Sequence, residues 1–183
     1  AHESKLERAL VVTFALAELL VAGGERVGIP GLMNPSASRN IIDRMAQAML
    51  HDHGARLSLP PSFAPSPLAE VVVMSDFWSP LDEIRAMLAG LSGSGTRGTL
   101  LQIVDPAEET FPYSGRIEFI EPEGGGAITA GRAENWAADY TIRLALHRDA
   151  IRAETDRRGW LFSIHNTSRS SAELLLFLHS GMM

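Results

Sequence analysis

The hydrophobic positions along the chain alternate between a helical period and unbroken apolar runs. Residues 4–22 show the helical period, because their apolar members recur every three or four positions: Leu6, Leu10, Phe14, Ala17 and Val21. The sequence from Ser4 to Glu7 is a capping box that would start a helix, and Gly23 with Gly24 would end it. This segment is therefore predicted to be an amphipathic helix.

Unbroken runs rich in β-branched residues predict strands that are buried on both faces. Such runs occupy residues 70–74 and 99–104, and two further strands are predicted at residues 26–30 and 160–164. These four segments would supply the sheet of the domain.

Helical periods lie between the predicted strands. They predict a helix that begins at Ser36 or Ser38, and another over residues 80–91 with Pro80 at its first position. A long helix follows over residues 135–157, and a last helix over residues 170–179.

The order of these elements predicts the architecture. Strands that alternate with helices form βαβ units, which build a doubly wound, mainly parallel α/β sheet of the Rossmann-like class. Residues 116–120 and 127–129 flank three glycines and predict a small β-hairpin insertion. In open sheets of this kind, ligands bind at the carboxyl ends of the strands. The residues in such positions are Ser75, Asp76, Asp105, Asn166, Thr167 and Ser168, with residues 33–36 as further candidates.

Length and charge narrow the range of functions. The chain has 183 residues and 45% apolar residues, so we expect a single domain over residues 1–183 with a sizeable core. It carries 16 Lys and Arg against 22 Asp and Glu, and the net charge of −6 disfavours nucleic acid as a partner. It has no cysteine, which excludes disulfides, thiol nucleophiles and cysteine-ligated metals.

The sequence shows no pattern typical of a signal peptide or a membrane span. The most apolar stretch, residues 10–22, contains Glu18 and is shorter than the roughly 20 residues that a bilayer requires. The lack of cysteine also fits a reducing compartment. We therefore expect this chain to be cytoplasmic, and leave open whether a longer protein carries a membrane anchor.

Three features suggest chemistry, and each also has a structural explanation. The Gly-x-Gly-x-x-Gly string at residues 93–98 follows a predicted helix and precedes a strand, the reverse of a dinucleotide-binding loop, so it is interpreted as a flexible connection. His165 follows the last strand and could act as a general base, but no nucleophile or acid accompanies it in the sequence. Glu108 and Glu109 are interpreted as a solvated turn.

Ser75 and Asp76 directly follow a predicted central strand. A carboxylate and a hydroxyl in this position can hold a hard cation such as Mg²⁺, with oxygen ligands from neighbouring loops. They can equally bind the backbone N–H groups of the loop and fix its turn. Spacing alone leaves both interpretations open.

Three segments carry a resemblance to a known family. The run Val71-Val72-Val73-Met74-Ser75-Asp76-Phe77 resembles the strand and Ser-Asp-Phe segment of a von Willebrand factor A-like domain. Residues 24–29, Gly-Glu-Arg-Val-Gly-Ile, and 101–108, Leu-Gln-Ile-Val-Asp-Pro-Ala-Glu, are similar to segments of one bacterial branch. That branch is a family of unknown function, commonly encoded beside MoxR-type AAA+ ATPases.

The resemblance implies a von Willebrand factor A-like fold and a binding role. Such domains bind Mg²⁺ at a metal-ion-dependent adhesion site, in which Asp76 would be the last acidic ligand. A threonine usually completes the site, and Ser36 and Ser38 are loose candidates for that position. The first ligands come from an Asp-x-Ser-x-Ser motif after the first central strand, and this sequence contains no such motif. We therefore expect an incomplete metal site at Asp76 and no cofactor for this chain, with Mg²⁺ possible in a longer protein.

The missing motif also implies a missing element. Ser4 and Lys5 correspond to residues that follow the motif in the family, so we expect an N-terminally incomplete chain that lacks the first central strand. Unpaired backbone groups at that position would be costly. Either the strands near Val27 and Val72 pair directly, or a segment of another copy fills the gap, and unfilled edges would favour self-association.

Two functions from different classes remain. The first is a non-enzymatic protein-interaction domain, an adaptor that acts with a MoxR-type AAA+ ATPase in the assembly or maturation of other proteins. Its partner-binding residues would be Ser75, Asp76, Phe77 and Trp78, and the two aromatic side chains could instead pack under the next helix. The alternative is a small hydrolase or transferase in which Asp76, Asp105 and His165 converge at the same edge of the sheet.

Overall fold

A computed structural model describes residues 3–52, 59–60, 63–93, 95–120 and 126–182. The α-helices are α1 (Lys5–Ala22), α2 (Ile41–Leu50), α3 (Leu81–Leu91), α4 (Pro106–Thr110), α5 (Ala137–Asp156) and α6 (Ser171–Met182), and a 3-10 turn (Ala133–Trp136) precedes α5. The strands are β1 (Val27–Ile29), β2 (Met33–Ser36), β3 (Glu70–Ser75), β4 (Arg97–Val104), β5 (Ile117–Ile120), β6 (Ala127–Ala130) and β7 (Leu161–Asn166).

The centre of the fold is a parallel sheet with the strand order β3-β4-β7. Val72 lies opposite Thr99 in β4, and Thr99 lies opposite Leu161 in β7, so all three strands end at the same edge. Strand β4 is buried at every position after Arg97, which confirms the prediction of a strand that is covered on both faces.

Helices cover both faces of this sheet, because successive residues of β4 point to opposite sides. Leu100 packs with α3 and α5, whereas Leu101 packs with α1 and α6. Each of these leucines is fully buried, which stabilises the fold by about 1.5–3 kcal/mol per side chain. The chain is thus a mixed α/β protein with a helix-flanked parallel sheet, compatible with the Rossmann-like class.

Helix α1 begins as the sequence predicts. The Ser4 hydroxyl accepts a hydrogen bond from the Glu7 backbone N–H, and the Glu7 carboxylate accepts one from the Ser4 backbone N–H. The reciprocal pair satisfies two N–H groups that the first turn leaves without helical partners.

Residues 33–36, the further candidates for the ligand edge, lie in a separate two-stranded sheet and not at the end of a strand of the parallel sheet. They form β2, which pairs antiparallel with β1 after a turn in which Gly31 adopts a positive φ of 78°. The next helix consequently begins at Ile41, later than the Ser36 or Ser38 start that was predicted.

Strand β3 has a ladder partner on one side only within the described residues. It pairs with β4, while β1 pairs with β2 in a separate two-stranded sheet. Of the two alternatives for this edge, direct pairing of the strands near Val27 and Val72 is therefore wrong. Self-association through this edge stays a prediction.

Two further predictions concern the segment between β4 and α5. The hairpin is confirmed, with Ile117 opposite Ala130, and residues 121–125 of its connection lie outside the described residues. The Glu108 and Glu109 pair is not a solvated turn, because both residues belong to α4 and both make ion pairs.

Glu154 joins α3 to the end of α5. Its carboxylate accepts hydrogen bonds from Arg158, Arg85 and Arg157 at 2.7–2.8 Å. The hydrogen bonds from Arg158 and Arg85 are the main reason that the pKa of Glu154 falls to about 2. This carboxylate therefore stays charged over the whole ordinary pH range.

Among the described residues, no helix combines the length and the apolar character needed to cross a membrane.

Gly98 allows the Trp160 ring to pack against β4. A Cβ atom on residue 98 would lie 2.5–2.7 Å from three atoms of that buried ring, too close for any real contact. We expect Gly98→Ala to lower the free energy of unfolding by about 1–3 kcal/mol, as overpacking of a core does. Urea unfolding followed by tryptophan fluorescence measures the change.

Gly93→Ala is the matched control, because a Cβ atom at Gly93 would meet nothing within 4 Å. Equal stability of the two variants would show that the Trp160 contact does not require a glycine.

Candidate functional site

The loop from Ser75 to Trp78 leaves β3 in an uncommon backbone conformation. Phe77 has a φ of +52°, a region that non-glycine residues rarely adopt. The Ser75 hydroxyl accepts a hydrogen bond from the Phe77 N–H at 3.1 Å, and the Asp76 carboxylate accepts one from the Trp78 N–H at 3.4 Å. The turn-fixing role considered for Ser75 and Asp76 is therefore present.

Two side chains from other elements also hold this loop. The Gln102 amide donates to the Asp76 carbonyl at 2.7 Å, and His147 Nε2 lies 2.7 Å from the Phe77 carbonyl. Because a carbonyl only accepts, Nε2 of His147 must carry the proton. Gln102 of β4 and His147 of α5 thus hold the two consecutive carbonyls of this loop.

Gln102 is fully buried, and both ends of its amide are satisfied. Its oxygen accepts a hydrogen bond from Arg148 Nε at 2.8 Å, while its nitrogen binds the loop. Arg148 also reaches Glu109 at 3.3 Å. The Gln102 side chain therefore links the end of β3 to Arg148 of α5, and Arg148 in turn reaches α4.

Lys5 lies between two carboxylates at the edge of the sheet. Its ammonium group is 3.1 Å from Asp76 Oδ2 and 2.6 Å from Glu108 Oε1. Burial acts to lower the pKa of Lys5, but the hydrogen bond to Glu108 and the charge of Asp76 outweigh it and raise that pKa. The first turn of α1 thus supplies the cation that neutralises the loop after β3.

The two glutamates of α4 point to different partners. Glu108 Oε2 accepts from the Asp105 N–H at 2.9 Å, while Oε1 of the same carboxylate binds Lys5. Glu109 binds Asn166 at 2.8 Å, and the Asn166 amide oxygen in turn holds Ser168. Polar contacts therefore connect the ends of all three parallel strands.

The two aromatic residues after β3 lie in different environments. Phe77 is 0% exposed and packs in the core beside Phe162, so its ring has no surface to offer a partner in this conformation. Trp78 is 41% exposed. Of the two, only Trp78 presents an aromatic surface to the solvent.

Trp78 belongs to a continuous row of aromatic side chains, which we call the aromatic strip. Its members, in the order of their ring contacts, are His147, Trp78, Tyr140, Phe111, Phe119 and Trp136. The Tyr140 hydroxyl donates to the Glu108 carbonyl at 2.7 Å, and burial followed by the charge of Glu108 raises the pKa of Tyr140 to about 12. The strip attaches the hairpin to the body of the domain.

His165 is buried and bound by an arginine, which differs from the arrangement expected of a general base. Arg8 Nη1 lies 2.9 Å from His165 Nε2. Because an arginine only donates, Nε2 accepts, and the proton of the neutral ring is on Nδ1. Burial and then the charges of Arg8 and Arg169 lower the pKa of His165.

Asp76, Asp105 and His165 all follow strand ends or lie near them, yet each has separate partners. Asp76 binds Lys5, Asp105 caps α4 through the Ala107 N–H at 2.8 Å, and His165 binds Arg8. In the part of the chain that the structure describes, no hydrogen bond joins any two of these three groups. A catalytic arrangement would require them to converge.

The described residues do not fit the Mg²⁺ site that the resemblance implies. Asp76 Oδ2 is paired with the Lys5 ammonium, and Oδ1 accepts from the backbone. Ser36 binds Arg44, and Ser38 binds Asn40. Among the residues described here, no three His, Cys, Asp or Glu side chains form a group that could hold a metal ion.

The sequence patterns did not predict that Lys5, Arg8 and Gln102 belong to this edge of the sheet. Two of them carried a signal: Lys5 is the only lysine among the 16 basic residues, and Gln102 is the only polar residue in the run from Leu100 to Val104. Arg8 carried none, since a charged residue in the first turns of a helix is ordinary.

Removing the Lys5 ammonium tests the ion pairs. We expect Lys5→Met to lower the free energy of unfolding by about 0.5–1 kcal/mol at neutral pH, because solvent screens a pair that is about one-third exposed. A raised pKa gives stability that is complete below the usual value of 10.5 and disappears as the pH rises through the higher folded value. Urea unfolding at several pH values measures both effects.

Lys5→Arg keeps the charge and is the control for this measurement. The pKa itself can be read from the ¹³Cε resonance without ambiguity, since the chain has one lysine. A folded pKa at or below 10.5, or Lys5→Met as stable as the wild type, would contradict the ion pairs.

The same geometry predicts the response to metal. We expect millimolar Mg²⁺ to leave the melting temperature of this chain unchanged, because the ammonium of Lys5 already binds Oδ2 of Asp76. Thermal melts with and without Mg²⁺ provide the measurement. A saturable rise that Asp76→Asn abolishes would show that a metal site exists.

Comparison with known proteins matches the chain to a protein family. Residues 1–152 match the family described as "Protein of unknown function DUF58", a range that runs from before α1 into the last turns of α5. No curated protein and no solved structure matches the chain. Because the match covers well over half of the residues, the chain belongs to the DUF58 family of proteins of unknown function.

Proposed function

We propose that this chain is a protein-interaction domain with a von Willebrand factor A-like fold, and that its docking surface is the loop from Ser75 to Trp78. In this proposal it acts as an adaptor for a MoxR-type AAA+ ATPase in the assembly or maturation of other proteins. The partner comes from the family resemblance, and the position of the surface comes from the geometry of the loop.

The exposed indole of Trp78 on a firmly held loop is the observation that carries the proposal. Exposed tryptophans are frequent among the residues that dominate binding energy at interfaces. The backbone around Trp78 is fixed by Ser75, Gln102 and His147, so little conformational entropy would be lost on binding. An uncommon backbone conformation that several contacts maintain is also typical of functional loops.

The four residues of the loop take different roles in this proposal. Trp78 contacts the partner, and Asp76 offers a carboxylate that is about one-third exposed beside it. Phe77 inserts into the core and anchors the loop, and Ser75 fixes the turn. The partner would therefore meet one large aromatic surface next to an acidic group.

Binding of the purified MoxR-type ATPase to wild-type and variant chains tests the proposal. We expect Trp78→Ala to weaken binding by at least about 30-fold, which corresponds to the roughly 2 kcal/mol loss that defines a dominant interface residue. Asp76→Ala should weaken it as well. Isothermal titration calorimetry gives the dissociation constants.

Trp136→Ala is a matched control, because Trp136 is 40% exposed and lies at the end of the aromatic strip that is remote from Trp78. The dissociation constant of this variant should stay within about threefold of the wild-type value, since most truncations outside the dominant interface residues cost little binding energy. A wild-type chain that does not bind the ATPase would exclude the adaptor role. Equal losses for both tryptophan variants would place the docking surface elsewhere.

A further inference from the structure

The first turn of α1 lies across the ends of all three parallel strands. Lys5 binds Asp76 after β3 and Glu108 after β4. Arg8, less than one turn further on, binds the end of β7 and the loop that follows it. This single turn therefore joins elements that are distant in the sequence.

Arg8 uses its full donor capacity in these contacts. Its guanidinium makes two hydrogen bonds to Glu3 and one each to His165 Nε2, the Thr167 carbonyl and the Arg169 carbonyl. A guanidinium has five N–H donors, so none remains for another partner. Arg8 is 7% exposed, and water cannot replace a lost contact without a local opening.

The contact with His165 depends on the charge of the imidazole. Nε2 accepts from Arg8 only while the ring is neutral, and a protonated ring would place an N–H donor and a positive charge 2.9 Å from the guanidinium. Such a pair repels in a buried environment, where water screens little.

We propose that His165 is a pH-sensitive latch that holds the first turn of α1 on the carboxyl edge, and that its protonation releases this turn. Release withdraws Lys5 from Asp76 and Glu108, which uncovers their carboxylates for a partner. This second step rests on the proposed function, whereas the latch itself does not.

The groups around His165 fit a histidine that is neutral in the closed form. Arg8 faces the ring from α1 and Arg169 from the loop after β7, and both disfavour the imidazolium. Glu3, before α1, and Glu173, in α6, act in the opposite direction and are outweighed. The neighbour on β4 is the apolar Ile103.

The sign of the pH dependence follows from this environment. The pKa of His165 is lower when folded than its usual 6.5, so the unfolded chain binds more protons between the two values. The stability that the neutral ring contributes is therefore complete above pH 6.5 and falls as the pH decreases through the folded value.

Amide hydrogen exchange of the wild-type chain tests the latch. Between about pH 7.5 and pH 4.5, and after correction for intrinsic rates, we expect protection of the Glu7 and Arg8 amides to fall at least about tenfold. Its midpoint should coincide with the midpoint of the His165 ring resonances. His165→Gln can accept from Arg8 without titrating, and its protection should stay constant.

His179→Gln is the matched control, because this histidine lies in the last turn of α6 and should leave the wild-type profile unchanged. Constant protection in the wild type, or an equal fall in His165→Gln, would overturn the latch. If His165→Gln does not fold, wild-type midpoints that differ between the ring and the amides would overturn it as well.

Binding of the MoxR-type ATPase at both pH values tests the second step. Tighter binding at the lower pH would support release of the acidic edge, and binding that is independent of pH would overturn that step. An ATPase that binds at neither pH would contradict the proposed function alone, since the exchange profile of the isolated chain reports the latch directly.

Discussion

Strand β4 is buried on both faces and paired on both edges, so any polar side chain within it must find partners in the interior. Gln102 meets this requirement by donating to the Asp76 carbonyl and accepting from Arg148. An unsatisfied buried amide would cost about 1–3 kcal/mol. The hydrogen bond from Gln102 to the Asp76 carbonyl avoids this cost and fixes the position of the loop after β3. The position of the candidate site therefore depends on one buried amide.

Ion pairs at the carboxyl edge of the sheet also position the surrounding helices. Asp76 and Glu108 share the ammonium of Lys5, and Glu109 binds Arg148. Lys5 belongs to α1, Arg148 to α5 and both glutamates to α4, so these ion pairs position the three helices relative to one another. The contacts are partly exposed, and their main effect is orientation more than stability.

In the loop after β3, one aromatic side chain anchors the loop in the core and the next one is exposed for recognition. Phe77 fills the core next to β7, and this fixed ring sets the direction in which Trp78 leaves the loop. Trp78 then lies beside His147 and Tyr140 of α5. The buried ring and the exposed ring thus belong to adjacent residues.

The sequence by itself determined the order and type of most elements. Apolar runs predicted β3, β4 and β7, helical periods predicted the four long helices and α2, and the capping box placed the start of α1. These signals are local, because burial and capping leave a pattern within a few adjacent residues. Residues 33–36 and α4 were missed, since a four-residue strand and a five-residue helix are too short to show a period.

Only the tertiary structure decided which side chains meet at the candidate site. Lys5 and Asp76 are 71 positions apart, and Arg8 and His165 are 157 positions apart. Asp76 appeared in the sequence as a candidate metal ligand, and the fold instead supplies a lysine ammonium to its carboxylate. Residue types indicate what chemistry is available, but pairing of charges requires proximity, and proximity between such distant residues arises only when the helices pack on the sheet.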